Sequence, residues 1–417
     1  MKVMSCTGID GKEKIIKVWA DDVDEKVTGQ LNNLAKLPFM YKWPCLMPDG
    51  HLGYGMPIGG VLATKGVVIP NAVGVDIGCG MIAAKLPFTD MTKDQLKRAL
   101  GLIRKTIPTG FKHHKKPQDM ALMPKKSQEF TPVVNDQYNK ALYQLGTLGG
   151  GNHFIEIQRG SDGYIWIMIH SGSRNLGYTV AKYYNNMAKD LNKFWFSEVS
   201  EKSQLAFLPL KSKEGRKYLS EMQFCVEFAA ANRKLMMERV LRCVYTGIIS
   251  PMVRKGLHPL PPTESDIQYV DRFMARGVSP EIQDIAHNYA ALENHYGENV
   301  VVHRKGATKA YLGTVGIIPG SQGTSSYIVR GKGNPESFQS CSHGAGRLMS
   351  RTAAKENLSL EEEQKFLDDQ EILHSVRGKA NLDEAPGAYK NIDKVMKLQS
   401  DLVDIVIKLR PIGVVKG

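Results

Sequence analysis

CLMPDGHLGYGMPIGGVLATKGVVIPNAVGVDIGCGMIAAKLPF, residues 45–88, is rich in glycine, proline and β-branched residues. Such a stretch reads as short strands joined by tight turns, with glycine where the backbone reverses or a ligand comes close. A helix is expected to begin near Thr89 and Asp90, which suit an N-cap, and to run through DQLKRALGLIRK. Further along, HFIEI and YIWIMI read as strands, and 178–194 and 213–246 carry apolar residues at three- and four-residue spacing, as helices do. On the second of these, Phe224, Cys225, Phe228, Met236, Met237 and Cys243 are expected to pack rather than to bind. From residue 300 strands and glycine turns return, then helices over 344–355 and 360–370, then a closing strand, IVIKLRPIGVVKG. The predicted class is α+β: one large mixed domain over residues 1–417, with central β-sheets and long helices packed around a cleft.

The 417 residues are 42% hydrophobic and 23% charged, enough for a large buried core. No linker-like or repeated segment divides them. No run has the apolar length of a membrane span, and the N-terminal MKVMSCTGIDGKEK lacks the apolar stretch of a signal peptide. A cytoplasmic location is expected. Six cysteines without a CxxC pair read as reduced thiols, buried or metal-binding. Lys and Arg number 55 against 42 Asp and Glu, a net charge of +13 that favours a polyanionic partner, nucleic acid first. The basic loop 111–126, with His113, His114, Lys115, Lys116, Lys125 and Lys126, is either an RNA-facing surface or a solvated loop without a partner.

Of eleven histidines, His153, His170, His287 and His343 sit against a strand end or in a Gly/Ser/Asn-rich turn. With Asp76 and Cys79 of GVDIGCG nearby in character, Asp76, Cys79, His153, His170 and His287 make a candidate metal site. Thiolate and imidazole suit Zn, Mn, Fe or Co, and the carboxylate tilts the choice to the harder ions. A second constellation suits phosphate. HGAGR, 343–347, places glycines where a helix is expected to begin, an anion site at which a histidine can attack phosphorus. PGSQGTSSY, 319–327, is a second loop able to wrap phosphates or a base. Arg174, Arg304 and Lys305 are candidate phosphate clamps.

The ordered strings PDGHLGYGMPIGG, GVDIGCG, GGGNHFIE, HSGSRN, AHNYA, VHRKGAT, PGSQGTSSYI, SHGAGR, LDEAPGAYK and RPIGVVKG resemble the motif series of the RtcB family of RNA ligases over nearly the whole chain. The resemblance implies two Mn²⁺ ions sharing the Cys79 thiolate, one completed by Asp76 and His153 and the other by His170 and His287. It implies His343 as the nucleophile that takes GMP from GTP. Asn152, Asn288, Ser326, Ala345, Gly346 and Lys416 fall where the family contacts the guanylate, and Glu156 matches an acidic residue beside them. His303 carries no ligand role. RNA with a 3′-phosphate or 2′,3′-cyclic phosphate end and RNA with a 5′-hydroxyl end are the implied substrates, in RNA repair or tRNA splicing. Some relatives use an archease-type activator; the motifs leave that need open. Asn175 stands where the family has glycine, and Gln322 where it has methionine. Two other readings compete: a metal-dependent RNA-end phosphohydrolase without a covalent intermediate, and a non-catalytic RNA-binding module.

Overall fold

The computed structural model describes residues 1–127, 131–254 and 281–417. Two large sheets organise it. The first runs in the order Lys2–Thr7, Glu13–Val18, Cys45–His51, Ile58–Thr64, Glu298–Lys305, Asn288–His295. All its neighbours are antiparallel except Glu13–Val18 with Cys45–His51. The second runs Glu281–Ala286, Gly80–Lys85, Ile165–Ser171, Phe154–Gly160, Val403–Lys416, Ser326–Gly331, Val315–Ile318, antiparallel throughout. The α+β expectation therefore holds, and HFIEI, YIWIMI and the closing strand all fall where the pattern put them.

The chain crosses between the sheets three times, and two of the crossings carry candidate ligands. Glu281–Ala286 belongs to the second sheet and Asn288–His295 to the first, so His287 is the single residue between them. The turn holding Asp76 and Cys79 likewise connects the first-sheet side to Gly80–Lys85 of the second. The inner strand Ile165–Ser171 is buried along its whole length, which explains why IWIMIHS reads as a continuous apolar run rather than an alternating one.

The helix Lys213–Arg254 backs the second sheet: Met236, Met237, Val240 and Val244 pack on Ile82, Ile155, Ile157, Ile167 and Ile169. Nearer its N-terminus, Phe224, Cys225 and Phe228 meet Val180 and Tyr184 of the helix Arg174–Phe194. Burying each such side chain contributes roughly 1.5–3 kcal/mol, so the residues assigned to packing are packing residues. Both helices exceed their expected bounds, one starting a turn earlier and the other running past residue 246. Among the described residues no helix is long and apolar enough to cross a membrane.

Two helix starts differ from expectation. The helix after residue 88 is Lys93–Thr106, not one capped by Thr89 or Asp90. Thr92 and Gln95 form a reciprocal capping box, and Asp90 is instead paired with Arg159 at 2.7 Å. The helix expected from Gly344 is Arg351–Asn357, capped by Ser350. Gly346 lies at φ +74°, and a Cβ there would fall 2.2 Å from the Asp49 carbonyl oxygen, so residues 343–347 form a turn that no helix can enter. The helix expected over 360–370 ends at Asp368.

Candidate functional site

The seam between the sheets gathers the candidate ligands. The turn at Cys79 closes through its N–H to the Asp76 carbonyl at 3.1 Å, with Gly78 at φ +74° against the Val226 backbone. Cys79 Sγ lies 3.5 Å from His153 Nε2 and 3.2 Å from His170 Nε2. His153 Nε2 is 3.2 Å from Asp76 Oδ2, and His170 Nε2 is 3.4 Å from His287 Nε2. Two triads result, Asp76–Cys79–His153 and Cys79–His170–His287, each with its ligating atoms within 4.8 Å of one another and with the thiol common to both.

The donor chemistry fits a pair of divalent cations. His153 Nδ1 faces the Leu148 carbonyl at 2.9 Å and His170 Nδ1 the Asn152 carbonyl at 3.2 Å. Each carbonyl fixes the proton on Nδ1 and leaves the Nε2 lone pair aimed at Cys79. Burial, with neighbouring histidines adding to it, pushes His170 and His287 well below the ordinary imidazole range, so both are neutral donors. The two Nε2 atoms face each other at the His170–His287 contact, a placement from which both can ligate one cation. Burial and the Asp76 charge push the Cys79 thiol well up; a bound metal would deprotonate it outright. Burial alone would raise Asp76, but the His153 hydrogen bond and charge hold its carboxyl below the usual range.

Buried polar groups on the long helix hold this seam. Arg233 forms a two-pronged ion pair with Asp284, both bonds at 2.7 Å, and donates to the carbonyls of Gly78 and Ser171. Asn232 accepts from the N–H groups of Gly146 and Thr147 and donates to Thr147, Ser171 and Gly172. Asn288 donates to the Asp76 carbonyl and accepts from Gly306 N–H, which ties the two crossings together.

His343 follows directly from the strand Ser340–Ser342 and stands beside the cluster, its ring centroid 4.8 Å from that of His287. Its Nδ1 is 2.6 Å from Asp49 Oδ2, and the same oxygen accepts from the N–H groups of His343 and Gly344 at 3.1 and 3.3 Å. Asp49 is fully buried. Its carboxylate orients the ring and leaves Nε2 free for chemistry. Asp49 is a functional residue that motif spacing alone does not single out; its one signal in the sequence is an acid inside the turn-rich PDGHLGYG.

A cleft of about 800 Å³, counting its open mouth, extends from His343. Asn152, Glu156, Ala345, Gly346 and Lys416 line it, as do Gly320, Ser321 and Gln322 of the second glycine loop. Burial pushes Glu156 up to about 8, while Gln158 and Lys416 pull the other way. Beside them Glu384 gathers Arg347 at 3.2 Å, Arg351 at 3.1 Å and Lys416 at 3.5 Å, and accepts from the Tyr389 hydroxyl. Gln322 is buried and donates to the Glu384 carbonyl, so its departure from methionine is absorbed into the cleft wall. Asn175 lies at the surface in the first turn of its helix, away from the cleft wall.

Ser326 and Asn288 do not line the cleft: the Ser326 hydroxyl lies beneath it, bonded to Gly320 N–H and Gln158, and Asn288 is engaged in the seam. Arg304 and Lys305 are not phosphate clamps. Arg304 is fully buried on Glu293, and the Lys305 ammonium is spent on the carbonyls of Tyr54, Met56 and Asn71. Burial on their strand is continuous from Val300 to Lys305, so both of its faces are covered and successive side chains all enter the interior. His303 is structural: it accepts from Ile69 N–H at 2.9 Å, and burial pushes it down to about 4. Arg174 alone of the three cations reaches the site, with Nη1 3.4 Å from His153 Nδ1.

The chain matches the family model described as tRNA-splicing ligase RtcB over residues 30–136 and 124–417. It is 38% identical to the RNA-splicing ligase RtcB of Escherichia coli across 96% of this chain and 97% of the relative. It is 31% identical to the tRNA-splicing ligase RtcB of Thermococcus kodakarensis across 96% and 94%, and 32% identical to that of Methanococcus maripaludis across 99% and 96%. With the resemblance of its motifs, this extent and level of identity mean that the chain belongs to the RtcB family of RNA-splicing ligases.

Proposed function

We propose that the protein is a GTP-dependent ligase that joins an RNA 3′-phosphate or 2′,3′-cyclic phosphate end to a 5′-hydroxyl end, in RNA repair or tRNA splicing. The position of His343 carries this reading: it opens into the cleft, stacks edge-on with His287 of the candidate metal cluster, and has its Nδ1 held by Asp49.

Nε2 of His343 forms a bond to the α-phosphorus of GTP while the bond from that phosphorus to the bridging oxygen breaks, and pyrophosphate leaves with the electron pair. Asp49 keeps the ring aligned and stabilises the positive charge that the imidazole gains. An oxygen of the RNA 3′-phosphate then attacks the same phosphorus. The N–P bond breaks, His343 recovers its electron pair, and the RNA end becomes RNA(3′)pp(5′)G. The 5′-hydroxyl oxygen of the second RNA attacks the RNA phosphorus, its proton is lost, and GMP departs. A cyclic phosphate is first opened by water. Two Mn²⁺ ions, held by Asp76, Cys79 and His153 and by Cys79, His170 and His287, would neutralise charge building on the phosphate oxygens.

Guanine is favoured over adenine by the far end of the cleft. Glu156, which holds its proton before nucleotide enters, ionises as guanine donors and the Lys416 ammonium close on it. Its carboxylate then accepts from the N1–H and exocyclic amine of guanine while Lys416 donates to O6; adenine presents the opposite pattern at these positions. Arg347 and Arg351 supply positive charge for the phosphates.

The decisive experiment incubates the protein with MnCl2 and α-labelled GTP, denatures it and looks for label on the chain. An adduct that acid destroys and alkali spares, absent from His343→Ala and weak with ATP, is expected. Absence of any adduct with either nucleotide would overturn covalent guanylylation and leave phosphohydrolysis at the same metal centre as the better reading.

A further inference from the structure

Phe111 opens the basic loop and is 103% exposed, an aromatic side chain with no packing partner to account for it. We propose that Phe111, with Lys112, Lys115 and Lys116, is a stacking platform for the single-stranded RNA adjoining the reacting end; this rests on the ligase reading above. Three observations converge on it.

The first is location. Gly110 N–H donates to the Gly149 carbonyl at 2.8 Å, and Thr109 bridges Gly149 in parallel. Gly149 begins the GGGNH loop that delivers Asn152 and His153 to the site, and a Cβ on Gly150 would sit only 3.6 Å from the Gly110 Cα. The platform is therefore fastened to the loop that carries a candidate metal ligand. On the other side of that same loop, Arg174 and Arg351 press against Gly149 and Gly151, so positive charge continues from the platform to the cleft.

The second is order. Beyond Phe111 the backbone is pinned again, His114 N–H donating to the Tyr143 carbonyl at 3.0 Å. An exposed ring on a backbone fixed at both ends offers a flat face at little further cost in conformational entropy.

The third is charge. Lys112, Lys115 and Lys116 are exposed, and among the described residues none of them has an ion-pair partner, whereas Lys14, Lys65, Lys85 and Lys394 on other surfaces do. Asp119, the next acid along the chain, is turned to cap its own 3₁₀ turn at Ala121 N–H. An aromatic face among unneutralised ammonium groups matches a splayed base with flanking phosphates, the recognition mode of single strands rather than of duplexes, whose bases are already stacked.

The test is fluorescence anisotropy with a labelled single-stranded RNA of roughly 12 nucleotides, within the span of such sites, ending in a 3′-phosphate, with MnCl2 and without GTP. Phe111→Ala is expected to weaken binding roughly 5- to 10-fold and Phe111→Tyr to restore it. Replacing the three lysines by alanine should lower the slope of log affinity against log salt by about 2. Leu292→Ala, removing a side chain that is 71% exposed elsewhere, serves as the control for loss of any exposed apolar group. Affinity within twofold of the native protein for Phe111→Ala, full affinity for Phe111→Leu, or an unchanged salt slope would overturn the platform. Because the binding is read without nucleotide, a missing His343 adduct would sink the ligation chemistry and leave this result standing on its own.

Discussion

Asp49→Asn is the most informative single change, because the structure separates what the carboxylate does by geometry from what it does by charge. Oδ2 accepts three bonds at once, from His343 Nδ1 at 2.6 Å and from the N–H groups of His343 and Gly344 at 3.1 and 3.3 Å. Asparagine must therefore place its amide oxygen at that point, since an NH2 group would confront three donors. The Nδ1–H tautomer survives, and Nε2 remains free to attack. What is lost is charge assistance to a ring that becomes cationic as the N–P bond forms. A hydrogen bond to a charged group is worth about 1.5–3 kcal/mol against about 0.5–1.5 kcal/mol for a neutral one, so the transition state loses about 1–1.5 kcal/mol. At about 1.4 kcal/mol per tenfold, guanylylation should slow roughly 5- to 15-fold. Asp49→Ala is different in kind: the ring is free to turn and take the wrong tautomer, and a loss of about 10²- to 10⁴-fold is expected. Single-turnover transfer of label from α-labelled GTP measures both, with the melting temperature checking that each variant folds. Equal rates for the two variants, or a native rate in Asp49→Ala, would refute the orienting role.

Cys79→Ala removes the atom common to both triads, and bound manganese by elemental analysis should fall below one ion per chain with guanylylation abolished; retention of two ions would end the shared-thiolate assignment. Removing metal from the native protein with a chelator should cost the linkage amount of stability, about 2.7 kcal/mol at a metal concentration 100 times Kd, read as a lower melting temperature, while the far-ultraviolet circular dichroism stays the same. Burial pushes Glu156 up to about 8, so the folded state holds its proton more tightly than the unfolded chain does; that stability is complete at low pH and is lost as pH rises through about 8. Glu156→Gln cannot titrate, and its melting temperature should gain on the native protein's as pH rises from about 5 to about 8; a constant difference would contradict the buried, proton-holding carboxyl. Arg233→Met should cost about 3 kcal/mol, at the low end for a broken buried pair because Asp284 stays partly open to water, and should weaken manganese binding. Native metal affinity in that variant would limit Arg233 to a structural role.

The sequence exposed the groups that end in turns and concealed those that span the fold. Asp76, Cys79, His153, His170 and His343 stand in or beside glycine turns, His287 stands in AHNYA between two strands, and the structure brings all six together. Arg304 and Lys305 look the same in sequence, but whether both faces of a strand are covered depends on partners far away, and both of theirs are. HGAGR resembles a helix start because glycine precedes many helices; it is a turn because Gly346 lies at positive φ with the Asp49 carbonyl packed against it, a contact across almost three hundred residues that no local pattern carries. Asn232 and Arg233 did leave a trace, a polar pair inside an apolar helical run, yet only the fold shows that they bond to the carbonyls of the seam.

The seam explains why so much buried polarity is tolerated there. One sheet contributes His170 and, through its connecting turn, Cys79, while Asp49 reaches His343 from the Cys45–His51 strand of the other, and His287 belongs to neither. A slip of the sheets by a fraction of an ångström would shift His343, and the Asp49 that holds it, relative to Cys79, His153 and His170, which all stand on or beside the second sheet. Apolar packing between the sheets resists separation but is indifferent to such slips, since it has no preferred direction. Hydrogen bonds and ion pairs are directional: the Asn288 side chain, bonded at once to Asp76 and Gly306, and the His287 N–H, bonded to the Cys79 carbonyl at 2.8 Å, set the relative position of the two halves, while the Arg233 guanidinium, bonded to Gly78 and Ser171, fixes the Cys79 turn on the second sheet. Desolvating those groups costs stability that an apolar seam would keep; a register held firm between the candidate metal cluster and His343 is what that cost secures.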